Sequence, residues 1–519
     1  MDECTQKFGR QWTRRDGYSL CFLLIFAFLL GFHTIHTTVV VTNDSATYVK
    51  RAMEFEQSVA DGKVYTRHFG YSFLIYAAHG VLSTFLPADS VYTWIYAGQW
   101  VSLLSRLVTI FLIYILFRQI GGTRKTFLTL LVLICLPEPA IYGADLVREW
   151  PSLMFLSIGM YILYVSIRSL RIPGYFAVGV VAGLGYLIRP ECFQLVLYAV
   201  VWLILLRIYH EKMGKTGRMT LLVLAVSLGF GIVYVPYSYY SGRYIPHKVQ
   251  DLFLDSEAAS AERANVENKP DVWITARSAN PTLWQGTLKI IEGVSENLAY
   301  IFSLPFFLGV IVKLKNFKKL ILTPYCLSVQ VLFLYGLLLL FLWRHYGYIS
   351  RRYSVPIVVA GAGYIYPGLC LLVRKIQKIP GRGGNLRIFR NRTILAVILT
   401  AGLLVCAGKY LEKTPLRESK VGYRLTGDWI REHTPPAAVV AVPDNLLGMY
   451  TERPYIVAGQ DAIPRKARYL VEIGEAGIVN DRIRGDKKVR SVYQTEYQEG
   501  SGGKWIVVFQ VLGRSPEKL

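Results

Sequence analysis

YSLCFLLIFAFLLGFHTIHTTVVV, residues 18–41, is a long, mostly apolar run without a formal charge, and Thr42-Asn43-Asp44-Ser45 follows it at once. A helix needs roughly 20 such residues to cross the hydrocarbon core of a bilayer. Basic residues precede the run (Lys7, Arg10, Arg14, Arg15), and no small-residue cleavage site closes it. The run therefore reads as a retained first span with its N-terminal side in the cytoplasm.

Ten further blocks of the same kind follow: Val91–Phe117, Thr126–Tyr142, Pro151–Ile167, Gly174–Ile188, Cys192–Leu206, Met219–Tyr237, Leu298–Val312, Leu320–Trp343, Tyr353–Val373 and Thr393–Ala407. The fold expected is an all-α polytopic membrane domain with about eleven transmembrane helices plus interfacial helices. Composition agrees. Of 519 residues, 53% are hydrophobic and only 18% are charged, and the mean hydropathy is +0.34.

The formal net charge of +23 would suggest nucleic acid on a soluble protein. Here the cations cluster in short loops between apolar blocks, which is the pattern that orients spans. No zinc-ligand spacing and no RNA-binding aromatic motif accompanies them, so no nucleic-acid partner is expected. With the N-terminus inside, Arg118/Arg124/Lys125, Arg168/Arg171, Arg207/Lys212/Lys215/Arg218, Lys313/Lys315/Lys318/Lys319 and the run from Arg374 to Arg392 all fall on the cytoplasmic side. The acid-rich loop 238–297 then falls outside. Phe69–Leu86 is long and apolar enough to cross, but crossing would invert every later loop. It is expected to lie in the outer interface, within the outer loop 42–90. The seven cysteines fall in apolar blocks or near the N-terminus, so no disulfide framework is expected.

After residue 408 the chain turns polar. Val439–Val442, Tyr455–Ala458, Tyr469–Ile473 and Trp505–Leu512 read as strands, and Leu425–His433 as a short helix. The expected organisation is a membrane domain over 1–408 and a small extracytoplasmic α/β soluble domain over 409–519.

Ionisable residues at membrane depth are functional candidates by default. Asp44 stands just past the first span. It either caps the following helix or acts as a general base toward an acceptor. Glu149, with Asp145 and Arg148, stands between two spans on the same side. It too has a capping reading, beside Pro151 in a first helical turn. Arg67, His68, Arg189, Arg344, His345, Arg351 and Arg352 break the inside bias of the cations, and Tyr353 follows them. They suit a lipid phosphate, which Arg grips as a fork while Tyr adds a donor. Contact with lipid headgroups or ion pairs with Glu149 and Glu191 is the plainer reading. Arg106 lies within a long span. Aromatic belts account for most of the 35 tyrosines.

In the order of these features the chain resembles the C-superfamily of glycosyltransferases (GT-C), which use polyprenyl-phosphate sugars. It is most similar to the branch of protein O-mannosyltransferases and the lipid A aminoarabinose transferase. The resemblance rests on Asp44 four residues before Tyr48, Arg67-His68 ahead of an interfacial segment, Arg106 early in a long span, and Glu149 after the third span. It continues with Arg189-Pro190-Glu191, with Arg351-Arg352-Tyr353-Ser354-Val355-Pro356, and with a closing outer domain. It implies that Asp44 is the catalytic carboxylate and that Glu149 lies at the active site. Tyr48, Arg67, His68, Arg189, Arg351, Arg352 and Tyr353 would bind substrate, with His68 standing where relatives can have lysine. Asn43 is followed by Asp44-Ser45 and not by an Asp-Glu pair, which leaves a divalent metal open and names no certain cofactor.

The implied function is inverting transfer of a sugar from a polyprenyl-phosphate donor, on the outer face of the plasma (inner) membrane. The acceptor, whether protein, lipid or glycan, is unnamed. Two rivals stand beside it. A transporter or flippase for a lipid-linked substrate would place ionisable residues near mid-span and show repeated halves. A non-catalytic membrane scaffold would not need Asp44 or Glu149 at all.

Overall fold

The computed structural model describes residues 12–62, 68–209, 216–242, 282–315, 317–377, 391–458, 464–475, 489–499 and 502–512. Arg67, most of the outer loop 238–297 and the basic run 378–390 lie outside the described residues.

Among the described residues, eight helices are long and apolar enough to cross a membrane. The first, Arg14–Thr37, opens with a capping box in which Thr13 and Asp16 satisfy each other's backbone N–H groups. The longest, Val91–Gly121, has 31 residues, about 46 Å at 1.5 Å per residue. Three further expected spans are helical but shorter than these eight. Ile172–Ile188 has 17 residues and Ser303–Leu314 has 12. The block expected at Thr126–Tyr142 breaks at Leu136, where Thr123–Cys135 ends and Pro137 opens the short helix Pro137–Tyr142. Proline without an N–H fits a first helical turn and not an interior.

The segment expected at the interface forms the helix Gly70–Leu82, of 13 residues. That is about 20 Å, and Ser303–Leu314 is no longer, so length alone does not set this helix apart from the shorter spans. It packs at one end of the bundle. The Tyr71 hydroxyl reaches the Gly98 carbonyl at 3.3 Å and Ser102 at 3.2 Å. A Cβ at Gly70 would press on Leu187 and Ile188, at the end of Ile172–Ile188.

Small residues let the spans approach closely. Gly179 and Gly229 each face the other helix's backbone, and so do Gly309 and Gly368 across a second pair; a Cβ at any of the four would collide with a carbonyl oxygen.

The polar C-terminal region is α/β, as expected. Strands β1 (Val440–Val442), β2 (Tyr455–Val457), β3 (Tyr469–Glu475), β4 (Val489–Glu499) and β5 (Gly502–Val511) form one mixed sheet in the order β2-β1-β3-β5-β4. β1 runs parallel to β2 and β3, while β5 is antiparallel to β3 and β4. The helix expected at Leu425–His433 begins earlier, at Val421. This region shares its core with the membrane part: Tyr423, Ile430, Val442 and Leu447 cluster with Val41, Ala46, Val49, Ile95 and Leu146. The end of the bundle that carries Asp44 is therefore roofed by the sheet region.

Candidate active site

Asp44 lies in the first turn of the helix Asn43–Met53, whose cap residue is Thr42. No side-chain cap closes that end; Thr42 hydrogen-bonds Ser45 instead, at 2.6 Å. Ser45 in turn donates to the Leu146 carbonyl at 2.8 Å, which ties this turn to the segment leading into Glu149. The Asp44 carboxylate is turned to Arg352, 308 residues away in sequence, and pairs with its guanidinium. Of the two readings of Asp44, the geometry is that of a charged group facing the site.

Glu149 opens the helix Glu149–Ser169, and its side chain is 2% exposed. Its Oε1 lies 3.5 Å from Arg189 Nη1 and 3.5 Å from Arg352 Nε. Its Oε2 has no hydrogen-bond partner. A buried carboxylate persists only beside compensating charge, and the two arginines supply it. Arg189, also 2% exposed, closes Ile172–Ile188 and reaches Glu191 at 3.2 Å. Its guanidinium sits 5.3 Å from the centre of the Tyr353 ring, and that of Arg352 sits 6.0 Å from the same ring. Asp44, Arg352, Glu149, Arg189 and Glu191 thus alternate in sign along one line. Asp44 stands at its solvated end, with 47% of the side chain exposed. A narrow cleft lined by Arg189, Glu191, Tyr335 and Pro356 opens at the other end of the line.

The turn that carries Arg352 is held from behind. Arg351–Ser354 is a single 3-10 turn. The buried Asn297 amide donates to the Arg351 carbonyl and to Ser354 Oγ, each at 3.0 Å. Tyr48 lies one helical turn after Asp44, its ring edge-on to Tyr71 at 5.1 Å and under the Arg148 guanidinium at 6.0 Å. Burial pushes its hydroxyl above the ordinary range, so it stays a hydrogen-bond donor at neutral pH. The His68 ring packs on Tyr186 at 5.3 Å and Tyr237 at 5.9 Å, and Tyr186 lies three residues before Arg189.

Other expected residues have different employment. Arg351 pairs with Glu138 and with Glu296, both at 3.1 Å, and so belongs to a neighbouring cluster. Lys413 joins that cluster through Glu138. Glu138 was not singled out in the sequence, although an acid between two prolines inside an apolar block is a visible signal. Asp145, fully buried, is taken by Arg417 of the C-terminal region. Arg106 is a brace. It donates to the Ile134 carbonyl at 3.0 Å and the Ala140 carbonyl at 3.5 Å, on either side of the break at Leu136, and lies under Trp150 at 5.7 Å. Carbonyls freed at a helix end need such donors. Among the described residues no group of three or more His, Cys, Asp and Glu side chains is placed to hold a metal ion. Arg352 stands between Asp44 and Glu149, so these two acids, among the described residues, do not by themselves offer a divalent metal a set of ligands.

Comparison with known proteins bears on this arrangement. Residues 94–235 match the family model described as dolichyl-phosphate-mannose-protein mannosyltransferase. No curated protein matches the chain in sequence. Among solved structures, ArnT from Cupriavidus metallidurans bound to undecaprenyl phosphate aligns with a TM-score of 0.56 at 11% identity, covering 94% of this chain and 97% of that one. The oligosaccharyltransferase of Archaeoglobus fulgidus, in complex with Zn and sulfate, aligns with a TM-score of 0.53 at 13% identity, over 86% of this chain and 67% of that one. The archaeal oligosaccharyltransferase AglB from the same organism, in complex with an inhibitory peptide and a dolichol-phosphate, gives 0.51 at 12%, over 88% and 70%. The likeness is one of fold. The chain shares its membrane fold with ArnT and the archaeal oligosaccharyltransferase, and its apolar helices make it an integral membrane protein.

Proposed function

We propose that this chain is a glycosyltransferase that moves a sugar from a polyprenyl-phosphate donor to an acceptor on the outer membrane face, by inverting displacement at the Asp44–Arg352–Glu149 site. The observation that carries this reading is the meeting of Asp44, Glu149, Arg189, Arg352 and Tyr353, drawn from four separate stretches of chain, at one end of a GT-C bundle. The partial match to a mannosyltransferase family and the likeness to ArnT with its bound undecaprenyl phosphate support the choice of donor.

The chemistry follows from the charges. An acceptor hydroxyl or amine attacks the anomeric carbon from the face opposite the phosphate. Its proton passes to Asp44, the half-exposed carboxylate. The bond from the anomeric carbon to the phosphate oxygen breaks, and the phosphate keeps the electron pair. Arg352 and Arg189, which flank the Tyr353 ring, are placed to stabilise that charge together. A donor phosphate competes with Asp44 for Arg352, and Asp44 is free to act as a base once the phosphate has won. Glu149 keeps the two arginines together from the buried side.

The bias of the basic loops supports a cytoplasmic N-terminus, with 1–408 as the membrane part and 409–519 as an extracytoplasmic α/β domain in the plasma (inner) membrane. The test is direct. Purified protein is given polyprenyl-phosphate mannose and polyprenyl-phosphate aminoarabinose in parallel, and the loss of sugar from lipid is followed. Asp44→Asn should slow it by about 10²–10⁴-fold. Turnover unaffected by that change, or no turnover of either donor by the wild type, would remove the reading.

A further inference from the structure

The bundle holds a second cavity, at the end opposite Asp44. The Val91–Gly121 helix runs the length of the membrane part: near its start, Gly98 and Ser102 contact Tyr71 below the catalytic end, and at its last turn Phe117 and Gly121 line a cavity of about 520 Å³. Lys125, Lys313 and Arg374, on three other helices, line the same cavity, and among the described residues no acidic one does. Rings hold the two lysines in place: Lys313 Nζ lies 4.9 Å above the Tyr325 ring, and Lys125 Nζ lies 5.9 Å above that of Tyr366. The wall also contains Thr126, 2% exposed, whose Oγ1 has no hydrogen-bond partner.

Three like charges around one hollow repel one another, and the repulsion is strong where water is scarce. A bound anion relieves it. A basic pocket between transmembrane helices is suited to an anionic headgroup. Between the cations the wall is apolar, from Ile120, Val312, Leu320 and Leu371, which suits a ligand with a hydrocarbon stem.

We propose that this cavity binds a phosphate group, carried by an anionic lipid of the leaflet opposite the catalytic site, with Lys125 and Lys313 as its principal cations. It is separate from the donor site and does not depend on the transferase reading.

The experiment is native mass spectrometry of the purified full-length protein, titrated in parallel with phosphatidylglycerol, phosphatidylcholine and inorganic phosphate. Wild type should prefer phosphatidylglycerol to phosphatidylcholine by about tenfold, and Lys125→Gln/Lys313→Gln should lose that preference. Inorganic phosphate that displaces phosphatidylglycerol at equal concentration would make the phosphate group alone the ligand; failure to displace it makes the lipid the ligand. The charge-keeping pair Lys125→Arg/Lys313→Arg guards against a folding effect and should bind as wild type does. A Gln pair that keeps the full preference overturns the proposal. So does an Arg pair that loses as much as the Gln pair, or a wild type that binds neither phosphatidylglycerol nor phosphate.

Discussion

Arg352 reaches two carboxylates of unlike character. Asp44 is half exposed and Glu149 is buried. An exposed ion pair contributes ~0–1 kcal/mol to stability, so Arg352 can leave Asp44 at little expense. Breaking a buried pair by removing one partner costs ~3–5 kcal/mol, because a buried charge is left uncompensated. The two acids therefore predict a split. Asp44→Asn should slow transfer by about 10²–10⁴-fold with a melting temperature close to wild type. Glu149→Gln should lower the melting temperature by several degrees, since Arg189 and Arg352 then face each other without it. Equal losses of stability in the two variants, read by thermal unfolding in detergent, would mean that Glu149 is not the anchor described here. At this scale the sequence showed which residues were out of place and not what each touches. Arg351 and Arg352 are neighbours in one string, but a 3-10 turn sends successive side chains about 120° apart, so one faces Glu138 and the other Asp44. Arg106 looked like a functional charge in a span, and the helix break that it braces is a tertiary feature.

Among elements, apolar length located the spans well, and close approach decided what happens between them. Gly179 and Gly229 bring Ile172–Ile188 against Thr216–Ser241, backbone to backbone. Gly179→Leu should forfeit at least the ~1–3 kcal/mol of an overpacked interior and lower the yield of folded protein. Gly231, on the same helix as Gly229, has open space where its Cβ would be. Gly231→Ala should be neutral or slightly stabilising, by up to about 1 kcal/mol of helix propensity. Size-exclusion profiles and melting of the two variants check the contrast, and a tolerated leucine at 179 would show that these helices do not meet as described. The helix Gly70–Leu82 lies within the stretch Phe69–Leu86 that the charge bias had set apart from the spans. β4 was not legible. Its residues Val489–Glu499 are mostly polar, and a register shift between Ser491 and Tyr493 breaks the alternation that marks a strand. The helix Asn445–Thr451 is too short to show a period.

On the scale of the whole molecule, the placing of the termini and the bracing of the site are joined. Cysteines introduced at Glu54 and Glu432, both exposed, into a cysteine-free background should label together with a membrane-impermeant maleimide on intact cells. One at Lys315, exposed at the other end, should not. Labelling of Lys315→Cys alone would invert the molecule. The same roof bears on the chemistry. Arg417 pairs with buried Asp145 and donates to the Val40 carbonyl at 2.8 Å. Val41 N donates to the Tyr450 hydroxyl at 3.2 Å, and Val91 N to Glu452 at 2.8 Å. These bonds hold both chain segments that present the acids: Val40–Val41 leads into Asp44, and Asp145–Leu146 leads into Glu149 while accepting Ser45. Arg417→Met should therefore leave Asp145 an unpaired buried charge, at ~3–5 kcal/mol, and lower turnover although residue 417 is not among the reacting groups. Asp145→Asn added to Arg417→Met removes that charge and should restore much of the stability. If Arg417→Met melts and turns over as wild type does, the sheet region is an appendage and the site is set by the membrane helices alone. A double variant that recovers stability but not turnover instead makes Arg417 of the C-terminal region the brace that keeps Asp44 and Glu149 on the same arginine.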